Sequence, residues 1–252
     1  MIETTLDAVL GGRLHLRQPK RGHRVGHDAI LLAAATAARA GEHAVDLGAG
    51  VGGAGLALAR RVDGLQVTLV EIDEALAALA VENAERNALA QRVRVFAGDA
   101  EDVDAFAAAG LAPGSIDRVL MNPPFNDPRK QNVSPDPCRR LAHVAAPGLI
   151  ARWTATAAFL LEPGGVLTLI WRADALDEVR DALSHAFGAV TVLPVCPRPG
   201  APPIRVLVRA VRAGAGAPVI LPTLVLNDDD GRPAAAAEAV LRGGGTLSLA
   251  EV

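Results

Sequence analysis

From residue 43 onward the sequence switches repeatedly between short apolar runs and longer Ala- and Leu-rich stretches, and this alternation limits the chain to very few folds. The runs HAVDL at 43–47, LQVTLVEI at 65–72 and RVRVFAG at 92–98 read as buried strands, and Ile116–Met121 and Val166–Trp171 continue the series. Between them Ala54–Val62, Glu74–Ala88, Ala100–Ala109, Leu149–Leu161 and Leu176–Phe187 are predicted helices. Units of this kind build a parallel sheet covered by helices on both faces, because right-handed crossovers leave little else. The last two predicted strands, Val190–Pro194 and Ile204–Val211, have no helix between them and can only pair antiparallel. The expectation is an α/β fold with a mostly parallel seven-stranded sheet and one antiparallel strand.

A chain of 252 residues, half of them apolar, can bury a full core as one domain. We divide it into an N-terminal hairpin and helix (1–41), a core (42–212) and a C-terminal extension (213–252). The segment LDAVLGGRLHLRQP predicts two strands around Gly11-Gly12, a pair suited to the positive φ of a tight turn. The run AILLAAATAARA predicts a helix with Asp28 as N-cap and Gly41 as its stop. Near the end, Asn227–Pro233 reads as a turn and Ala234–Arg242 as a short helix. No apolar run reaches the ~18 residues of a membrane span, and the N-terminus lacks the basic-then-apolar order of a secretory signal. The chain is therefore expected to be soluble and cytoplasmic, with no membrane partner. Cys138 and Cys196 stand apart from each other and from His at metal-ligand spacing, so no disulfide framework and no metal site is expected.

The segment Asp46-Leu-Gly48-Ala-Gly50-Val-Gly52-Gly53 falls where the first core strand turns into its helix. Glycines there permit positive φ and close approach of backbone to a ligand. The same letters satisfy G-x-G-x-x-G, so a dinucleotide and a purely structural turn are both alternatives. Asp46, two residues before the first glycine, suits a cationic ligand better than a pyrophosphate, and the sulfonium and ammonium of S-adenosylmethionine are cationic. Glu71 ends the next strand, 21 residues beyond Gly50, where an acid reaches ribose hydroxyls in doubly wound folds. Asp99 ends the third strand and is placed to accept from an adenine amine, with an N-cap of the following helix as the alternative.

Asn122-Pro123-Pro124-Phe125 follows the fourth core strand and is the most specific signal in the chain. An amine conjugated to a ring or carbonyl is a poor nucleophile because its lone pair is delocalised. Two acceptors on its two hydrogens, the Asn122 side-chain carbonyl and the Pro123 backbone carbonyl, would raise its reactivity. The two prolines fix the geometry in advance. Phe125 offers a π face for a flat base, worth roughly 1–3 kcal/mol by analogy with single-strand binders.

With these residues in place, the chain resembles the small-domain class I methyltransferases, and among them the bacterial tRNA (valine) adenine-N6 methyltransferase family. The resemblance runs through Gly22–Leu32, Asp46–Gly52, Glu71, Asp99, Asn122–Phe125, Arg139–His143, Glu162–Gly165 and Ile204–Leu207. It implies the class I Rossmann-like fold, S-adenosylmethionine as cofactor, cofactor contacts at Asp28, Asp46, Gly48, Gly50, Glu71 and Asp99, and a base pocket at Asn122–Phe125. Guanine-N2 and protein-glutamine methyltransferases share the Asn-Pro-Pro-aromatic loop and are the alternatives. Phe125 in place of Tyr, and Asn126 in place of His, favour adenine.

The net charge of −3 hides an uneven distribution. Residues 41–118 carry 13 acidic and six basic side chains, 128–152 carry five basic and one acidic, and 193–212 carry four Arg and no acid. The two basic segments, with Arg139, Arg140 and Arg205 foremost, are the expected contacts for an RNA substrate, with solvated surface arginines as the plain alternative. Arg205 lies between apolar neighbours, where a charge is usually paired or functional. Trp153 and Trp171 are expected in the core.

Overall fold

The computed structural model describes residues 3–22, 24–107, 109–124 and 148–251. Phe125, Arg129, Lys130, Cys138, Arg139, Arg140 and His143, singled out above or part of the first basic segment, lie outside the described residues.

The N-terminal run folds as the expected hairpin: β1 (Thr4–Val9) and β2 (Leu14–Pro19) pair antiparallel around a turn in which Leu10, Gly11 and Gly12 have positive φ. Leu14 and Leu16 face inward and are fully buried, whereas Arg13, His15 and Arg17 face out. Helix α1 (His27–Ala35) follows. It begins one residue earlier than its expected cap, on Gly26, so Asp28 is in the first turn and its carboxylate is turned toward the sheet. It also stops well short of Gly41. Thr36 is extended, and the guanidinium of Arg61 accepts the role of cap by donating to the carbonyls of Ala33, Ala34 and Thr36.

The core then runs β3 (His43–Leu47), α2 (Gly53–Arg61), β4 (Gln66–Glu71), α3 (Glu74–Arg86), β5 (Val93–Ala97), α4 (Val103–Phe106), β6 (Ile116–Met121), α5 (Leu149–Leu160), β7 (Leu161–Arg172), α6 (Leu176–Leu183), β8 (Phe187–Cys196) and β9 (Arg205–Arg212). Helix α4 is far shorter than expected, because Asp99 and Asp102 each turn their side chains onto following backbone N–H groups and delay the helix to Val103. The strand order is β5-β4-β3-β6-β7-β9-β8. All neighbours in this order pair parallel except β9, which is antiparallel to β7 and to β8. Two features of the extension have no counterpart in the sequence reading: β10 (Val219–Ile220) and β11 (Leu224–Val225) add to the outer edge of β8. Strands of two residues are too short to show a hydrophobic period, although Leu224 of β11 is buried in the core. The short helix α7 (Ala235–Leu241) closes the extension close to its expected place.

One face of the sheet packs Leu69, Leu120 and Leu193 against α1, Leu56 and Leu58 of α2, and the hairpin. The other packs Val45, Val119, Leu167 and Val208 against Phe106, Trp153, Leu160 and Val179. The hairpin is bound to this body by two asparagines on one face of α3. Asn83 accepts from the Arg17 N–H (2.7 Å) and donates to the Arg17 carbonyl and to the Val51 carbonyl (both 3.0 Å). Asn87 does the same for His15, at 2.9 Å each way. The free edge of β2 is thus covered by side-chain amides rather than left open.

Candidate active site

The turn from β3 to α2 is held from below. Asp46 is buried, and its Oδ2 accepts from the Gly55 N–H at 2.8 Å, joining the strand end to the first turn of the helix. Burial pushes its carboxyl up to about 7; the Gly55 bond opposes this and the nearby Glu71 charge adds to it. Glu71, at the end of β4, accepts from the Gly50 N–H (2.7 Å) and the Asp73 N–H (2.9 Å). Its pKa is likewise raised by burial, with those two bonds working in the other direction. The Gly48 backbone (φ 70°) lies so close to the indole of Trp153 that a Cβ would stand 2.4 Å from it. Any larger residue would have to displace α5.

Above this turn is a cavity of about 300 Å³ lined by Arg24–Ala29, Asp46, the backbone around Gly48–Gly50, Leu76 and Asn122. It brings together Asp28, Asp46, Gly48, Gly50 and Asn122, which the sequence places far apart. Glu71 sits behind the glycine turn and acts on it through Gly50. Asp99 is exposed and its Oδ1 accepts from the Glu101 N–H, so within the described residues it shapes the chain after β5. Asn122 directly follows β6, and among the described residues its Oδ1 is buried with no hydrogen-bond partner. Pro123 and Pro124 continue directly from it. An unmatched buried carbonyl is costly, of order 1–3 kcal/mol, and at the wall of a cavity it suits a donor arriving with a ligand.

Arg205 takes part in this cavity indirectly. Its Nε donates to Asp28 Oδ2 at 3.0 Å and its Nη1 to the Ile204 carbonyl. The embedded charge is therefore paired, and its first role is to hold the Asp28 carboxylate against the cavity. Arg212, from the same basic segment, donates to the carbonyls of Ala158 and Ala186 at the opposite end of β9. The second basic segment therefore does not present its arginines as one surface. Arg24 was missed in the sequence. It donates to Asp7 (2.7 Å), Thr5 and the Pro19 carbonyl, fixing the segment that lines the cavity to the hairpin. Its one sequence signal is a place beside Asp28 in a Gly-flanked stretch. Trp153 and Trp171 are buried, as expected. Among the described residues no group of His, Cys, Asp and Glu could hold a metal ion, and no helix is long and apolar enough to cross a membrane.

The donor set fits a cationic cofactor with a nucleoside end: two carboxylates, Asp28 and Asp46, at the cavity, a backbone turn open to close approach, and Glu71 behind it. Comparison with known proteins agrees. The methyltransferase small domain profile matches residues 23–195. The tRNA1(Val) (adenine(37)-N6)-methyltransferase of Bacteroides fragilis is 32% identical over 189 residues, covering 73% of this chain and 76% of that protein. The release factor glutamine methyltransferase of Chlorobaculum tepidum is 30% identical over 155 residues, covering 59% of this chain and 52% of that protein. Among solved structures, a protein from Agrobacterium tumefaciens titled a predicted O-methyltransferase superposes with a TM-score of 0.74 at 28% identity, over 87% of this chain and 98% of that one. The chain belongs to the methyltransferase small domain family and is an S-adenosylmethionine-dependent methyltransferase.

Proposed function

We propose that this enzyme methylates an exocyclic amine of a nucleic-acid base, adenine N6 in tRNA. The observation that carries the reading is the Asn122 Oδ1, buried and without a partner at the wall of the cofactor cavity. The bound cofactor supplies an electrophilic methyl group on a sulfonium. Asn122 Oδ1 accepts one amine N–H and the Pro123 carbonyl accepts the other, drawing the nitrogen lone pair out of conjugation and toward the methyl. Once methylated, the nitrogen would keep both its hydrogens and bear a positive charge, the sulfonium having left as a neutral thioether, so one proton would pass to solvent without a strong base. Asp28 and Asp46 hold the cationic end of the cofactor, with Arg205 fixing Asp28. Gly48 and Gly50 leave room for the nucleoside, and Glu71 and Asp99 are the acceptors for ribose and adenine. Phe125, Pro124, Arg139 and Arg140 belong to the acceptor side of this reading. The relative from Bacteroides fragilis, named for adenine 37 of a valine tRNA, supports the choice of substrate.

A second reading is methylation of a protein glutamine amide, which is also a planar NH2 and which the relative from Chlorobaculum tepidum favours. Incubation of the enzyme with labelled cofactor and total RNA from cells lacking the modification, followed by nucleoside analysis, tests the first. Labelled N6-methyladenosine is expected. Label on guanine N2 moves the reading to another base, and label confined to protein glutamine replaces it.

A further inference from the structure

A second concave site lies at the opposite end of α2 from the cofactor cavity. It is an open cleft of about 430 Å³ lined by Leu10, Arg13, Arg60, Arg61 and Gly244. Three arginines therefore line it, from the hairpin turn and the end of α2, and among the described residues no acidic side chain does. Two of them are tied to backbone carbonyls. Arg61 is fixed on the carbonyls that end α1, and its Nε is buried without a partner. Arg60 donates to the Asn87 carbonyl. Arg13 lies against the backbone of Gly244, where a Cβ would stand 2.5 Å from its Nη1. A concave surface lined by arginines and by no acid favours an anion, and planar guanidinium forks match phosphate oxygens.

We propose that this cleft is a phosphate site that takes a backbone phosphate of the RNA substrate, away from the methylated base. Two routes through the fold connect it to the reaction pocket. Gly53 lines the pocket and Arg61 the cleft, at the two ends of a nine-residue helix, so the sites are about 12 Å apart along α2. That is a span of only a few nucleotides. On the surface, Arg13 leads into β2, whose outward face carries His15 and Arg17 about 7 Å apart, and the chain then continues to Arg24–Asp28 at the pocket. Arg17 meets Glu82 at 3.6 Å with both side chains nearly half exposed, a pairing weak enough for a phosphate to displace.

The inference rests on RNA being the substrate, and the test separates the two. Unmodified tRNA is titrated into the full-length wild-type enzyme and into Arg13→Gln and Arg13→Lys, over a series of salt concentrations. Cofactor affinity and thermal stability are measured alongside. Arg13→Gln is expected to lower the slope of log K against log salt by about 0.7–0.9 and to raise the KM for tRNA several-fold. Its kcat, cofactor affinity and stability should remain those of the wild type, and Arg13→Lys should restore the slope. Arg13→Gln with wild-type slope and KM on a tRNA that the enzyme does methylate overturns the phosphate site and leaves the RNA reading standing. A wild-type enzyme that neither binds nor methylates RNA overturns both.

Discussion

The two ends of the proposed reaction pocket, one assigned above to the cofactor and one to the acceptor, treat their polar groups in opposite ways. At the cofactor end every carboxylate already has work: Asp46 holds Gly55, Glu71 holds Gly50 and Asp73, and Asp28 is held by Arg205. At the acceptor end the Asn122 oxygen is buried and unmatched. A group that is satisfied before the ligand arrives keeps its place and adds ligand contacts with spare lone pairs, so its loss is felt in binding and folding. An unsatisfied group completes its bonding only when the reacting amine is present, so its loss is felt in the rate.

The largest expected effect tests that division directly. Asn122→Ala should lower kcat by about a hundredfold or more while calorimetry shows cofactor affinity nearly unchanged. A loss shared equally between turnover and cofactor binding would break the contrast between the two ends. Next, Glu71→Ala should weaken cofactor binding by about 1–3 kcal/mol, since it removes an acceptor and releases the Gly50 backbone. Unchanged affinity would remove Glu71 from the site.

Asp46 gives an effect graded with pH. Its carboxyl is raised from 3.8 to about 7 in the ligand-free fold, so the folded state binds the proton more tightly than the unfolded chain. Its contribution to stability is therefore greatest below about pH 4 and is lost as pH rises through about 7, by at most about 1.4 kcal/mol per unit. A cationic ligand favours the ionised form, so cofactor affinity should rise from pH 5 to 7, and binding at pH 6 should release a proton, visible as buffer-dependent heats. Binding without proton release would place the cation away from Asp46. The smallest effect is Arg205→Ala, which should cost about 0.5–1 kcal/mol of cofactor affinity, because the pair with Asp28 is partly exposed. A change in tRNA affinity alone, with cofactor binding intact, would instead assign Arg205 to the RNA.

The alternating core was legible because strands buried on both faces are short, mainly apolar runs, as in Leu65–Val70, where only Gln66 and Thr68 are polar. The glycine turn and Asn122 were legible for a related reason, since their residue types serve few purposes at strand ends. What escaped were side chains whose partners lie far along the chain. Asn83 and Asn87, four apart on α3, look like a solvated face, yet Asn83 is fully buried and clamps a strand 66 residues away. Arg60 and Arg61 look like the usual basic end of a helix, and the helix they cap is not their own alone. The sequence marks Arg205 as paired or functional and points it at RNA, whereas the structure pairs it with Asp28, 177 residues distant, which no local pattern announces.

The placement of β9 has a consequence for synthesis on the ribosome. Strands β7 and β8 are consecutive in sequence but do not pair; β9 lies between them and bonds to both, and among the described residues the outer edge of β8 is met only by β10 and β11. Every neighbour of β8 is therefore translated after it. The strands from β3 to β7 can assemble side by side as they emerge, whereas β8 must wait as an unpaired, apolar segment until residues beyond 205 leave the exit tunnel. β9, in the last fifth of the chain, is thus a wedge whose arrival completes the sheet. During that interval the nascent protein carries an open edge on β7 and a free β8, the period in which it most needs a chaperone.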